Sequence, residues 1–324
     1  MTTATEPARM WLGYGPHPTD MPIPDRLNLA FVVAVVTAAT GLLWVGSHVE
    51  IWYSVIGVGV VFSYVLLTNY ALLHEAAHGN LQSNSWRNYV CGLVTGFLFP
   101  VPFTMIRTTH KGHHLRNRTD FEMFDLYYPG DSKAIKFLQW YGVLCGLFWP
   151  FVPIAAILFA LCPGVLRTWV FREYRPYRYL LGDIRNREVR AIRGELVLTI
   201  AFFAALFWLL ELRWQNTLAL YACFALNWST RQYVGHAYSK RDVIEGAWNL
   251  RHNRLMSWIL LHGELDLNHH RRPDVPWYYL PRLSPANEPR QSYVVQYWRQ
   301  WLGPRPVTET PPESLCQMPL SVHQ

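Results

Sequence analysis

Charge is scarce in this chain, and over long stretches it is missing. Only 16% of the 324 residues are Asp, Glu, Lys or Arg, and residues 29–45 and 51–73 contain none. Uninterrupted apolar runs of about 20 residues match a bilayer core and argue against a soluble domain. Cysteine is sparse too. The five present (Cys91, Cys145, Cys162, Cys223, Cys316) show no CxxC spacing, which argues against a disulfide framework or thiolate zinc site and reads them as buried small hydrophobes. No Rossmann glycine fingerprint, iron–sulfur spacing or fused haem domain is legible. A cleavable signal is also missing, because the first 26 residues are polar and proline-rich; the first span is expected to direct its own insertion.

What charge there is lies between the apolar runs. The formal net charge is +7, but the arginines do not alternate with stacking aromatics, so they read as membrane orientation and not as a nucleic-acid surface. The expected fold class is an all-α integral membrane protein with crossings near 28–47, 51–73, 195–213 and 215–235, forming two hairpins. The segment 164–193 carries Arg167, Arg172, Arg175, Arg178, Arg185, Arg187, Arg190 and Arg193. The positive-inside tendency places it in the cytoplasm and both hairpin tips outside. Two further apolar stretches, 89–106 and 137–163, hold Pro100 and Pro102, and Pro150 and Pro153. Proline removes a backbone donor, so these stretches are expected to be broken, re-entrant or interfacial helices. The expected organisation is a polar segment 1–27, a membrane domain with a cytoplasmic cap over 28–303, and a poorly ordered tail 304–324.

Histidine, by contrast, is plentiful and clustered. Thirteen are present, and eight fall into tight groups near the ends of apolar runs: His74 and His78; His110, His113 and His114; His236; His269 and His270. Neutral imidazole is a good ligand for first-row metals, and pairs at i, i+4 or i, i+3 share a helix face. The string from His74 through Glu75 to His78 also satisfies the HExxH zinc-hydrolase pattern, with Glu75 as general base. That reading leaves the other clustered histidines without a task. Asp120, Glu122 and Asp125 could orient ligand imidazoles or form a solvated acidic run. In the last group either Asp266 or His262, each one helical turn from its neighbour, could add a ligand.

Taken together, these residues resemble the membrane fatty-acid-desaturase and hydroxylase superfamily, with its HxxxH, HxxHH and final HxxHH boxes and one further histidine between the last two. The resemblance runs from Asn69 to Leu283 and includes the runs 107–110, 117–120, 246–250 and 276–281. It implies that His74, His78, His110, His113, His114, His236, His269 and His270 ligate two iron ions, with O2 as co-substrate, and that Gln232 approaches the metal through water. Asp266 stands where the third box normally has its first histidine; a carboxylate still suits iron. The activity implied is desaturation or hydroxylation of the aliphatic chain of a lipid or acyl substrate. A hydrocarbon or carotenoid hydroxylase or ketolase of the same superfamily is an alternative.

Electrons would come from an external ferredoxin-like or other carrier with its reductase. The arginine-rich surface suits an acidic carrier and anionic membrane lipids equally. The implied location is multi-pass, in a bacterial inner membrane rather than the endoplasmic reticulum, with the site facing the cytoplasm. Two other classes stay open: an intramembrane zinc protease, which needs one zinc, and a metal transporter, which would carry polar groups through the spans and not at one face.

Overall fold

The structure is a computed structural model that describes residues 20–164, 184–285 and 287–315. The charge-free runs become helices α1 (Asp25–His48) and α2 (Trp52–His78). Two bent pairs follow, α3 (Ser85–Leu98) with α4 (Phe103–Arg116), and α5 (Lys133–Leu144) with α6 (Phe148–Leu161). Helices α7 (Asn186–Leu209) and α8 (Trp214–Ser229) form the second hairpin. Helix α2 is central, packing against α1, α3, α4 and α8. Much of the outward surface of α1 and α7 is apolar, as a lipid-facing surface must be; Val33, Val197 and Ile200 are all more than half exposed.

Among the described residues three helices, α1, α2 and α7, are long and apolar enough to cross a membrane, and up to five spans result if each bent pair counts as one. The fourth expected crossing is shorter than its apolar run. Helix α8 has 16 residues, about 24 Å at 1.5 Å per residue, against a hydrocarbon core of roughly 30 Å. It stops because the buried Gln300 side chain takes the Thr230 carbonyl at 2.7 Å. The Val234 N–H then turns to the Arg231 carbonyl at 3.3 Å.

The bends fall where the apolar stretches 89–106 and 137–163 were expected to break, but for different reasons. Between α3 and α4 the chain turns by 98° at the stretch holding Pro100 and Pro102. Between α5 and α6 it turns by 99° at Gly146 and not at a proline; Pro150 and Pro153 lie inside α6. Gly146 has φ +90°, and a Cβ there would meet the Leu226 backbone of α8 at 3.0 Å, so glycine both permits the turn and lets the two backbones touch.

A broken helix in an apolar setting must have its freed backbone groups satisfied from elsewhere. At the first bend the Tyr221 hydroxyl donates to the Leu98 carbonyl at 2.9 Å, and buried Glu195 of α7 accepts the Thr104 backbone N–H at 2.8 Å and its hydroxyl at 2.6 Å. At the second, Ser229 Oγ accepts from the Trp149 N–H at 3.0 Å and donates to the Gly146 carbonyl at 3.2 Å.

The two hairpin tips sit together, since the Asn216 amide donates to the Gly46 carbonyl at 2.8 Å and the Arg213 N–H to Ser47 Oγ at 3.2 Å. Of the arginine-rich segment, Arg167, Arg172, Arg175 and Arg178 lie outside the described residues.

The cap is built from short pieces: α9 (Arg254–Ile259), α10 (Asp266–Arg271), a 3-10 turn over Trp277–Leu283 and α11 (Tyr293–Arg299). Four two-residue strands, β1 (Leu126–Tyr127), β2 (Leu250–Arg251), β3 (Gln291–Ser292) and β4 (Arg305–Pro306), pair in parallel as β1 with β4 and β2 with β3. Beyond β4, the Arg241 N–H donates to Glu309 at 2.9 Å and the Leu315 N–H to the Leu115 carbonyl at 3.1 Å.

Two cysteine expectations also change: Cys91 is buried, but Cys145 and Cys162 are exposed. Both stand just past the C-terminal ends of apolar helices, α5 and α6, where the chain leaves the packed interior.

Candidate metal centre

Helix periodicity delivers the first histidines. His74 and His78 lie one turn apart at the end of α2, and His110, His113 and His114 share the last turns of α4. His236 follows α8 in a series of turns, and α10 begins at Asp266, so Asp266, His269 and His270 lie within two turns of one helix.

The fold gathers all eight histidines into two groups. His74, His78, His110, His114 and His269 form one; His113, His236 and His270 form the other; within each group the potential ligand atoms lie within 4.8 Å of one another. In the larger group the Nε2 atoms of His78 and His110 are 2.7 Å apart, those of His110 and His114 3.1 Å, and those of His114 and His269 3.0 Å. Asp266 joins the smaller group, its Oδ2 at 3.0 Å from His236 Nε2 and its Oδ1 at 3.9 Å from His270 Nε2. Gly235 makes this approach possible, because a Cβ there would overlap the Asp266 carboxylate.

Electrostatics leaves several of these imidazoles ready to ligate. Burial, followed by the charges of neighbouring imidazoles, holds His269 and His270 well below the ordinary histidine value. His236 is also lowered by burial, although Asp266 opposes the shift. Neutral imidazole is the ligating form. Donors about 2.0–2.1 Å from a first-row ion lie roughly 3–4 Å apart, and the 2.7–3.1 Å pairs of the larger group and the 3.0 Å pair of His236 with Asp266 are close to that spacing. The buried His78 Nδ1 and His270 Nδ1 have no hydrogen-bond partner among the described residues. The donor set thus fits two metal ions, and its nitrogen-rich chemistry suits iron.

Other groups orient the ligands. His113 Nδ1 meets Glu122 at 2.6 Å, and His236 Nδ1 donates to the Gly246 carbonyl at 3.0 Å. Burial alone would raise the Glu122 carboxyl, but His113 outweighs it and holds it below the usual range. Of the three acidic residues following the second box, only Glu122 reaches a histidine. Asp125 pairs with Arg118 at 2.5 Å, and Asp120 with Arg241 at 2.7 Å. Gly235 and the Gly246 carbonyl were not legible in advance; the only signal was glycine standing next to His236 and at the head of the 246–250 run.

The remaining candidates sit apart from the two groups. His262 belongs to neither, since it lies in a turn with Leu261 where both residues have positive φ. Its ring faces Trp277, centroids 5.8 Å apart, and its Nδ1 is 3.6 Å from Glu264. Gln232 lines the cavity beside the groups and donates to the Trp228 carbonyl at 3.5 Å. Glu75 accepts the Trp277 backbone N–H at 3.0 Å, so the carboxylate that the zinc-hydrolase reading needs as a base is tied to the backbone of the cap.

Both groups open onto one cavity of about 1380 Å³, reached by His74, His110, His113, His236, Asp266 and His269. Much of its wall away from the histidines is apolar, including Leu67, Phe99, Phe148 and Trp228, and Lys136, Gln139 and Arg231 are among its polar residues. This volume exceeds the roughly 300–1,000 Å³ of ordinary ligand pockets.

In a mostly helical fold with candidate membrane spans, two histidine groups able to hold metal meet at one largely apolar cavity. The fatty acid desaturase family model matches residues 50–301, and the chain belongs to that family. Comparison with curated proteins finds no match. Membership makes the protein a desaturase- or hydroxylase-type oxidoreductase acting on lipid with transferred electrons, in a family that uses a di-iron centre.

Proposed function

We propose that this chain is a membrane-bound, O2-dependent oxidoreductase that removes hydrogen from, or hydroxylates, the aliphatic chain of a lipid-like substrate. The observation that carries this reading is the meeting of two histidine groups with a single large apolar cavity. In this assignment His74, His78, His110, His114 and His269 hold one iron, and His113, His236, His270 and Asp266 hold the other. Bound iron supplies the oxidising power that an unactivated C–H bond demands and no side chain provides.

The protein's own residues do the rest. Tyr70, Phe99 and Trp228 line the space beside the histidines and offer an alkyl chain a largely apolar surface there. Glu122 and the Gly246 carbonyl fix the rings of His113 and His236, so the ligands do not reorganise when metal binds. Gln232, on the same wall, is placed to hold a water beside the smaller group. Electrons come from a separate ferredoxin-like carrier and its reductase. The arginines of 164–193 favour a cytoplasmic site in a bacterial inner membrane.

The test is metal analysis joined to product analysis. Purified protein reconstituted with iron should hold about two ions per chain, because nine donors exceed the four to six of one centre. With a matched reductase it should convert acyl chains to unsaturated or hydroxylated products that mass spectrometry detects. A protein fully active with a single zinc, or one that cleaves peptides, would refute the reading.

A further inference from the structure

The cavity has an opening that the metal centre does not explain. Four of its lining residues are large hydrophobics that are also well exposed: Ile135 and Leu138 on α5, Leu147 at the bend and Phe151 on α6. Leu138 is 76% exposed and Phe151 57%. A wall residue can be this exposed only where the wall ends, so the cavity is open at the notch made by the 99° turn between α5 and α6. An apolar rim of this kind faces lipid at little cost, whereas a mouth meant for water would be polar.

One polar patch interrupts the rim. Asp131, Ser132, Lys136 and Gln139 line the cavity on and just before α5. Two cations stand on the cavity wall, and they differ in what holds them. Arg231 lies over the rings of Tyr293 and Tyr297, at 5.6 and 5.9 Å, and donates to Asn227 at 2.8 Å. The Lys136 ammonium, half-buried, makes no side-chain hydrogen bond or ion pair among the described residues, and Asp131, Asp125 and Asp120 act on it only through space. The nearby acids are engaged: Asp120 with Arg241, Asp125 with Arg118, and Asp131 with the Tyr128 N–H at 2.8 Å. A cation kept partly from water with no hydrogen-bonded counter-ion has donors free for an anion.

We propose that the α5–α6 notch admits substrate sideways from the bilayer, and that Lys136, with Gln139 one turn on, anchors the acidic end group of a single-chain amphiphile. The substrate is thus an alkyl chain ending in carboxylate or phosphate, its chain threaded past Phe148 towards the histidines. Asp131 opposes this anchor and limits how tightly the end group is held. This assignment rests on the oxidoreductase reading for its use in catalysis, but not for its binding chemistry.

Binding is therefore measured on metal-free protein in neutral detergent, by competition against a fluorescent fatty acid. The competitors are hexadecanoate, hexadecyl phosphate and methyl hexadecanoate. Both acids should bind better than the ester, and the tighter of the two identifies the end group. Lys136→Gln should weaken the acids about tenfold, the scale of one charge-assisted hydrogen bond, and bring acid and ester to similar affinity. Lys136→Arg should restore the preference, which separates charge from misfolding, and Asp131→Asn should tighten the acids about threefold, as expected from removing one nearby like charge. Equal binding of acid and ester by the unaltered protein would overturn the proposal. So would weakening by Asp131→Asn, which would mark a head group carrying its own cation. Should these affinities hold while iron-loaded protein yields no oxidised product, the anchor stands and the oxidoreductase reading fails.

Discussion

The two histidine groups share helices α4 and α10 yet are not alike. The larger is all imidazole, takes four of its five members from α2 and α4, and packs those rings directly on one another. The smaller takes two of its three histidines, and its only carboxylate, from the segment after α8, and its rings are steered by Glu122 and the Gly246 carbonyl. The difference teaches where charge is balanced. A divalent ion in the larger group would have only imidazole donors, with the Glu75 carboxylate 3.6 Å from His74 Nδ1, whereas one in the smaller would also face the Asp266 carboxylate among its donors, so the two ions would differ in affinity and potential.

The largest expected effect breaks the comparison outright. His114 belongs to the larger group, but its ring lies 4.4 Å from that of His270 in the smaller. His114→Ala should therefore cost both ions and all turnover, measured by iron content and product yield. Next, Asp266→Ala should release one ion and keep the other, and Asp266→His should hold both. If Asp266→Ala retained two ions while His262→Ala lost one, the smaller group would have been drawn around the wrong residue.

Glu122→Gln should weaken the smaller site by roughly 10- to 100-fold, the range for a residue that orients a ligand, and leave the larger unchanged in a metal titration. Acid should blur the distinction. His269 and His270 have folded values below the ordinary 6.5, so the unfolded chain takes up protons first as pH falls. Metal-free protein should then lose stability below about pH 6.5, by up to roughly 1.4 kcal/mol per pH unit for each such histidine, and regain it on return to neutral. Thermal unfolding across pH 5–7.5 checks the sign.

Much of this was legible because two periodicities are strong. Charge-free runs marked α1, α2 and α7, and i, i+4 spacing placed His74 with His78 and His110 with His114. The division into groups was not legible, since His113 and His114 are adjacent in sequence and part company only because neighbouring positions on α4 point about 100° apart. Nor was the end of α8, which depends on Gln300, 70 residues later in the chain. Proline marked the first bend, but Gly146 makes the second through its contact with Leu226, and no local pattern announces a contact of that range.

The placement of α10 also sets an order of events during synthesis. Neither group is complete without it, because His269 finishes the larger and His270 with Asp266 finishes the smaller. All the apolar helices precede it in the chain. The ribosome must therefore deliver every span before either ion can be fully enclosed, and metal capture becomes a late, maturation-stage event. A nascent chain stalled before residue 266 would display His74, His78, His110 and His114 as an open four-imidazole trap, accessible to whichever metal the compartment holds in excess.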